Sequence, residues 1–314
     1  MKKVIVTGAN GFIGSKLVKK LSEESVEVFA IVKNQKENVD SIASLDGVHL
    51  VYCDMSEYDT ISQKISSNGI DVFYHLAWAG IFDKARENYQ VQLNNVFCTC
   101  NAFLNASIMK IPKFIYMTSI HEYGVMKQLM EGENKINSQQ LYSVGKLAAH
   151  LMLSCMASNS NTAFFPIVIS NVYGDSVLCL SMINKTIQKL LTGNTVAFTH
   201  GRQLCDFIYV DDVIKGIIAV GQKGVSGHNY YLGSCQIMPL YQYLERIKKA
   251  VNPDAEMVFG EIPFSGTSLT YSEFDINQLY IDTGFKAEVS FEEGIKKIVD
   301  WIKENCLFKN GNIK

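Results

Sequence analysis

No apolar run in this sequence of 314 residues approaches the about 18 residues that a membrane-spanning helix needs, so none is expected. Charge of one sign is lacking as well. Lysine and arginine number 29 against 31 aspartates and glutamates, a net charge of −2. That balance gives no reason to expect nucleic acid or an anionic membrane surface as a partner. The N-terminus carries no signal-peptide cleavage pattern. Paired cysteine motifs are missing too. The eight cysteines, at 53, 98, 100, 155, 179, 205, 235 and 306, form no Cys-x-x-Cys. Cys98 and Cys100 stand too close together for a zinc knuckle, and no metal centre is expected. Most of the eight lie in apolar runs, which favours free thiols in a reducing compartment over disulfides and makes the chain cytoplasmic. No internal repeat or low-complexity segment is present. A composition 47% hydrophobic and 19% charged is that of a globular chain.

What is present begins at residue 4. The apolar run Val4-Ile5-Val6 meets Gly8, Gly11 and Gly14, and an amphipathic stretch, Ser15 to Leu21, follows. That predicts strand, tight turn and helix. Bare backbone at the glycines lets a pyrophosphate approach, and the helix start points free N–H groups at it. The spacing is Gly-x-x-Gly-x-x-Gly, and its place at the head of the chain is where a nucleotide-binding fold starts.

Apolar β-type runs then alternate with helical patterns. Strands are expected at 26–32, 49–53, 71–76, 114–118 and 163–169, with helices at 89–107 and 141–157. Such alternation implies a parallel sheet with helices on both faces. Ligands in such sheets bind at the carboxyl ends of the strands, where Thr7, Asp54, Ala77, Ser119 and Asn171 fall. After Asn171 the segments are shorter. Helices are expected near 181–191, 211–220, 240–251 and 291–305, and strands near Val196, Phe207 and Tyr230. They partly complete the sheet and partly build a smaller lobe. Lys309 to Lys314 is expected to fray.

The second strand ends Ile31-Val32-Lys33-Asn34-Gln35-Lys36, with no carboxylate near it in sequence. A carboxylate there suits the ribose of NAD; a cation suits the 2′-phosphate of NADP. Lys33 therefore favours NADP(H), with NAD(H) possible, against a plain surface lysine. Asp54 is placed to accept from an adenine amine or simply to cap its strand.

Tyr142 and Lys146 are four residues apart, on one face of a predicted helix. A phenol titrates near ~10 in water, and a neighbouring ammonium lowers that value. The pair can then exchange a proton with an alcohol or carbonyl. Ser119, closing the fifth strand, can hydrogen-bond the same oxygen; Thr118 competes for that role.

These segments together resemble the extended short-chain dehydrogenase/reductases, in the NAD-dependent epimerase/dehydratase branch that acts on nucleotide sugars. The resemblance rests on residues 7–14, 53–55, 75–77, 95–96, 119–124, 142–146, 171–174, 206–213 and 284–285. It implies an α/β fold, a Rossmann-type doubly wound parallel sheet with a smaller C-terminal substrate-binding lobe. Residues 1–170, completed by parts of 200–235, would bind the dinucleotide, and 171–314 mainly the substrate. Gly8, Gly11 and Gly14 would cradle the pyrophosphate, with Phe12 and Ile13 amides beside it. Thr7, Met55, Leu76, Ala77 and Trp78 would line the cofactor, Asp54 would meet the adenine and Asn95 would steady the active-site helix. Ser119, Tyr142 and Lys146 would form the catalytic set, and Asn171 would contact the substrate's phosphate region. Trp78 is open to a sugar-pocket role or to core packing, and His121 to a substrate contact or a structural one. A homodimer is implied as well.

Three departures narrow the reading. Family dehydratases carry an Asp-Glu pair where Ile120 and His121 stand, so loss of the 6-hydroxyl is not expected. Many epimerases place an arginine at Cys205; Arg202 is left as its substitute, or the clamp is absent. Lys33 suits a cofactor exchanged at each turnover. The favoured expectation is NADPH-dependent reduction of a nucleotide-linked 4-keto-6-deoxyhexose at C4. The alternatives are a 4-epimerase or C4 dehydrogenase with tightly held NAD, a reductase of a small ketone or aldehyde, and a non-catalytic dinucleotide sensor.

Overall fold

The computed structural model describes residues 1–66, 68–132, 137–264, 270–272 and 274–307. The run Val4-Ile5-Val6 lies within β1 (Lys3–Thr7), and all three side chains are sealed from water. A strand covered on both faces is continuously apolar, not alternating, and that demands helices above and below. α1 (Phe12–Glu23) supplies part of that cover by turning Leu17, Val18 and Leu21 inward. In chain order there follow β2 (Glu27–Val32), β3 (Val48–Tyr52), α2 (Ile61–Lys64), β4 (Val72–His75), α3 (Asp83–Arg86), α4 (Tyr89–Ile108), β5 (Lys113–Ser119), α5 (His121–Met130), α6 (Leu141–Ala157) and β6 (Ala163–Ile169). The second half continues with β7 (Asn171–Tyr173), α7 (Met182–Leu191), β8 (Val196–Phe198), β9 (Leu204–Cys205), β10 (Phe207–Tyr209), α8 (Val210–Lys223), β11 (Tyr230–Leu232), β12 (Met238–Pro239), α9 (Leu240–Val251), β13 (Met257–Phe259), α10 (Gln278–Thr283) and α11 (Phe291–Ile302).

Seven strands form one sheet in the order β11-β6-β5-β4-β1-β2-β3. Neighbours from β3 through β6 run parallel, with Val6 opposite Ala30 on one side and Tyr74 on the other. The chain winds outward from β1 to β3, then returns to β4 and winds the other way. The switch in direction lies between β1 and β4, where such sheets bind their ligands. On one face α4 packs on α6, and Phe103 of α4 meets Phe114 of β5 edge-on at 5.3 Å.

The chain divides into two units. The first takes residues 1–169, 217–231 and 277–285; the second takes 170–216, 232–276 and the chain from 286 onward. The second unit has its own aromatic core: Phe207 and Phe291 lie 4.8 and 4.7 Å from Tyr243, and Tyr173 lies 5.4 Å from Phe291. It holds three strand pairs, β7 with β10, β9 with β12 and β8 with β13. Buried carboxylates brace it. Asp206 accepts from the Ser234 and Cys235 amides, and Asp212 from those of Glu288 and Val289.

The short elements α2, α3, α10, β7, β9, β12 and β13 have no counterpart in the sequence expectation, and two longer ones differ from it. Residues 121–130 form a helix, α5, that the alternation does not announce. The last helix, expected over 291–305, ends at Ile302 and passes into a turn of π-helix. The tail at 309–314 lies outside the described residues. No helix among the described residues is long and apolar enough to cross a membrane, and the seven cysteines whose side chains are described are free.

Candidate active site

The glycine turn is crowded first by the protein itself. Gly8 has φ +64°, and a Cβ there would stand 3.0 Å from the Ala77 amide nitrogen. At Gly14 a Cβ would stand 2.0 Å from the Gly8 carbonyl oxygen, which no backbone can tolerate. The sequence assigns these glycines to a sharp turn and a phosphate; the close approach of the Gly8 carbonyl and the Ala77 amide requires Gly8 and Gly14 before any ligand does. What does point to an anion is the start of α1. Gly11 caps it without a side-chain hydrogen bond, and its first turn holds no acidic residue. The positive helix end and its orphan amides fit a dinucleotide pyrophosphate.

Thr7 ties the two central strands together at the switch point. Its Oγ1 accepts from the Leu76 and Ala77 amides at 3.1 and 3.3 Å. Its proton therefore goes to His75 Nδ1, 2.9 Å away, and His75 Nε2 donates to Thr99 at 3.0 Å. Burial, then the Lys146 charge, depress His75 to about 3, so the ring is neutral. Asn95 pins the next loop from α4: it accepts from the Ala79 amide at 2.9 Å and donates to the Ala79 carbonyl at 2.8 Å. Trp78 is buried, and its indole donates to Gln92 Oε1 at 2.9 Å. Its side chain is packed in the core, one of the two roles the sequence left open for it.

Lys33 and Asp54 change the cofactor argument. The sequence shows no carboxylate beside Lys33, but the parallel pairing of β2 with β3 delivers one. Asp54 Oδ2 stands 3.9 Å from Lys33 Nζ, both side chains exposed. Asp54 also caps the 3₁₀ turn Met55–Thr60, accepting from the Ser56 amide at 3.0 Å. That bond, and after it the Ser56 hydroxyl and the Lys33 charge, hold its pKa below the usual carboxylate value. Met55 is half-buried and packs against the core.

The catalytic candidates meet at the end of β5. Ser119 closes β5, and it is among the groups that lower the pKa of the buried Tyr142 phenol. Ser119 Oγ accepts from the His121 amide at 3.3 Å, which leaves its own proton to be donated. Thr118, the competing candidate, instead donates to Glu122. Glu122 is buried and pairs with His150 Nδ1 at 3.0 Å, a polar chain the sequence reading missed.

Lys146 lies on α6 with Tyr142 and is buried. Its ammonium donates to the Met117 carbonyl at 2.7 Å and lies 3.9 Å over the Trp78 ring. Burial depresses its pKa to about 7, against the pull of Glu122. The cation over the Tyr142 ring is Arg86, 4.2 Å from the centroid, a residue the sequence reading also missed. Burial raises the phenol's pKa; the Arg86 charge, then Ser119, pull it back. His121 opens to solvent at the head of α5, yet surrounding protein and then the Arg86 charge lower its pKa.

Asn171 and Arg202 belong to the second unit. Asn171 donates to the Asp206 carbonyl at 3.1 Å, and Arg202 is exposed. Cys205 pairs through β9 with β12, and burial pushes its thiol up to about 12, so it is a neutral group.

A parallel sheet with a central switch point and an uncapped helix behind a glycine turn are those of an enzyme of the short-chain dehydrogenase/reductase type. The chain belongs to the NAD dependent epimerase/dehydratase family, whose model matches residues 4–233. It is similar to human dTDP-D-glucose 4,6-dehydratase, with 26% identity over 97% of this chain and 91% of that protein. Its fold is similar to that of UDP-glucose 4-epimerase of Thermotoga maritima, solved with UDP-glucose (TM-score 0.80, 19% identity, 96% of this chain and 99% of that one). It is also similar to a mutant UDP-glucuronic acid 4-epimerase from Bacillus cereus, solved with NAD and a fluorinated UDP-sugar (TM-score 0.78, 22% identity, 96% and 99%).

Proposed function

We propose that this chain carries out reversible hydride transfer at C4 of a nucleotide-diphosphate sugar with NAD, and that its net reaction is a 4-epimerisation. The observation that carries the reading is the buried Tyr142 ring, with Trp78 edge-on to it at 6.2 Å and Arg86 4.2 Å over its face; Ser119, at the carboxyl end of β5, is among the groups that lower its pKa. A bound nicotinamide supplies the acceptor and donor of the hydride. Tyr142, as phenolate, takes the proton of the C4 hydroxyl, and Ser119 hydrogen-bonds the same oxygen. Lys146 retains donors beyond the one given to Met117 and holds the nicotinamide ribose. The first turn of α1 and the glycine loop bind the pyrophosphate. Asn171 and Arg202 act toward the substrate diphosphate.

The choice of NAD departs from the sequence reading because Asp54 offsets Lys33 and repels a 2′-phosphate. A second reading, NADPH-dependent reduction of a 4-keto-6-deoxyhexose nucleotide, is favoured by the exposure of Lys33. Two copies are proposed to pair through α4 and α6, whose outer faces expose Leu93, Phe97, Leu104 and Leu151. To test the reaction, the nucleotide released on denaturation is identified, and UDP-glucose, UDP-N-acetylglucosamine and UDP-glucuronic acid are followed by NMR. Inversion at C4 without added cofactor is expected. Turnover only of keto sugars with stoichiometric NADPH would replace this reading with the reductase.

A further inference from the structure

Arg86 sits on α3, a single turn with no sequence signature, yet its place is built. Nη1 donates to the Ile81 carbonyl at 3.1 Å. Gln92 of α4, itself buried, fastens the segment at two points, donating to the Gly80 and Ala85 carbonyls at 3.1 and 3.2 Å. The same side chain accepts from Trp78, which stands edge-on to the Tyr142 ring at 6.2 Å. One amide thus locates both the guanidinium over the phenol and the indole beside it. A cation over an aromatic face is attracted by the ring quadrupole, and far more strongly once the ring carries charge.

We propose that Arg86 is a positioning residue for Tyr142: its guanidinium, held over the ring by the Gln92-braced loop, stabilises the phenolate and fixes the angle at which it meets the sugar hydroxyl. This rests on the reading that Tyr142 moves the C4 proton. The other groups facing Tyr142 divide in their effect. Ser119 of β5 favours its ionisation and Glu122 of α5 opposes it, while Tyr142 in turn raises the pKa of Tyr116 on β5. Lys146, on the same helix, points to Met117, and His121 heads α5 beside the Arg86 charge. Burial raises the phenol's pKa, and of the groups that lower it Arg86 acts most strongly.

The test is an ultraviolet tyrosinate titration of the NAD-loaded protein, with Tyr142→Phe subtracted to isolate this phenol. Arg86→Gln should move the step upward by about one pH unit, about a tenfold loss of phenolate at fixed pH. Arg86→Lys, which keeps the charge, should restore most of it, and Arg86→Met should repeat the Gln result through a second neutral side chain. With a turned-over nucleotide sugar, kcat in Arg86→Gln should fall about tenfold near neutrality with KM little changed. An unmoved or lowered step in the neutral variants, or no Tyr142-dependent step in the wild type, overturns the proposal. A shifted step in a protein inert toward every nucleotide sugar leaves the electrostatic coupling standing and overturns the function. An active protein with an unmoved step does the reverse.

Discussion

Tyr142 is the residue on which the proposed chemistry turns. It is buried, Arg86 lies over its ring, and it shares α6 with Lys146. Tyr142→Phe removes the one oxygen that can carry the proton and leaves the ring packing intact. We expect kcat to fall about 10²–10⁴-fold while bound NAD is retained, read from turnover and from nucleotide released on denaturation. Lys146 gives a pH prediction. An unfolded lysine titrates near ~10.4, and in the folded chain burial brings Lys146 to about 7. Between those values the unfolded chain holds a proton that the folded chain has released, so stability rises with pH across that window. Lys146→Met removes this dependence. Its urea midpoint should exceed that of the NAD-free wild type most at pH below 7, and the gap should close toward pH 10. The spacing of Tyr142 and Lys146 was legible in the sequence because four residues make one helical turn. Where the ammonium points was not, since Met117 and Trp78 reach it from other strands and loops. Glu122 was equally hidden: an acid at the head of a helix suggests solvent, and only folding seals it against His150, 28 residues away. Glu122→Leu strands that histidine, and we expect a loss of about 3–5 kcal/mol in chemical denaturation.

At the scale of elements, α6 (Leu141–Ala157), α9 (Leu240–Val251) and β6 (Ala163–Ile169) have the limits that periodicity predicts. α5 was missed because the β-type run Phe114 to Thr118 flows into it without a break and Gly124 interrupts its helical pattern. The glycine turn was legible as a turn, but its cause was only half read. Gly14→Ala drives a methyl into the Gly8 carbonyl. It should cost about 1–3 kcal/mol or more in denaturation even without nucleotide, and abolish NAD binding. The outer face of α4 carries Leu93, Phe97, Leu104 and Ile108 at helical spacing, and Phe97 is 63% exposed. An apolar stripe on the helix that packs against α6 suits a self-complementary two-fold contact. Phe97→Glu would place two charges across that axis. Sedimentation should show a wild-type dimer and a monomeric variant of unchanged helicity; a wild-type monomer would remove the pairing.

For the molecule as a whole, the parallel sheet with helices on both faces follows from the alternation of strand and helix and from the right-handed crossover. The return of residues 277–285 to the first unit did not follow, because the later segments are short and carry no period of their own. The cofactor question belongs to this scale too, since Lys33 and Asp54 end different strands and meet only through the sheet. A ligand that binds only the folded state stabilises it by about 2.7 kcal/mol at one hundred times its dissociation constant. NAD should therefore raise the melting temperature of nucleotide-stripped protein more than an equal concentration of NADP. Asp54→Asn removes the charge that repels a 2′-phosphate and frees Lys33 to meet it. The difference between the two cofactors should shrink or invert in that variant, whereas Lys33→Ala should widen it. A wild type stabilised more by NADP would return the choice to Lys33 alone and carry the function with it, from an epimerase that keeps its NAD to a reductase that exchanges NADPH.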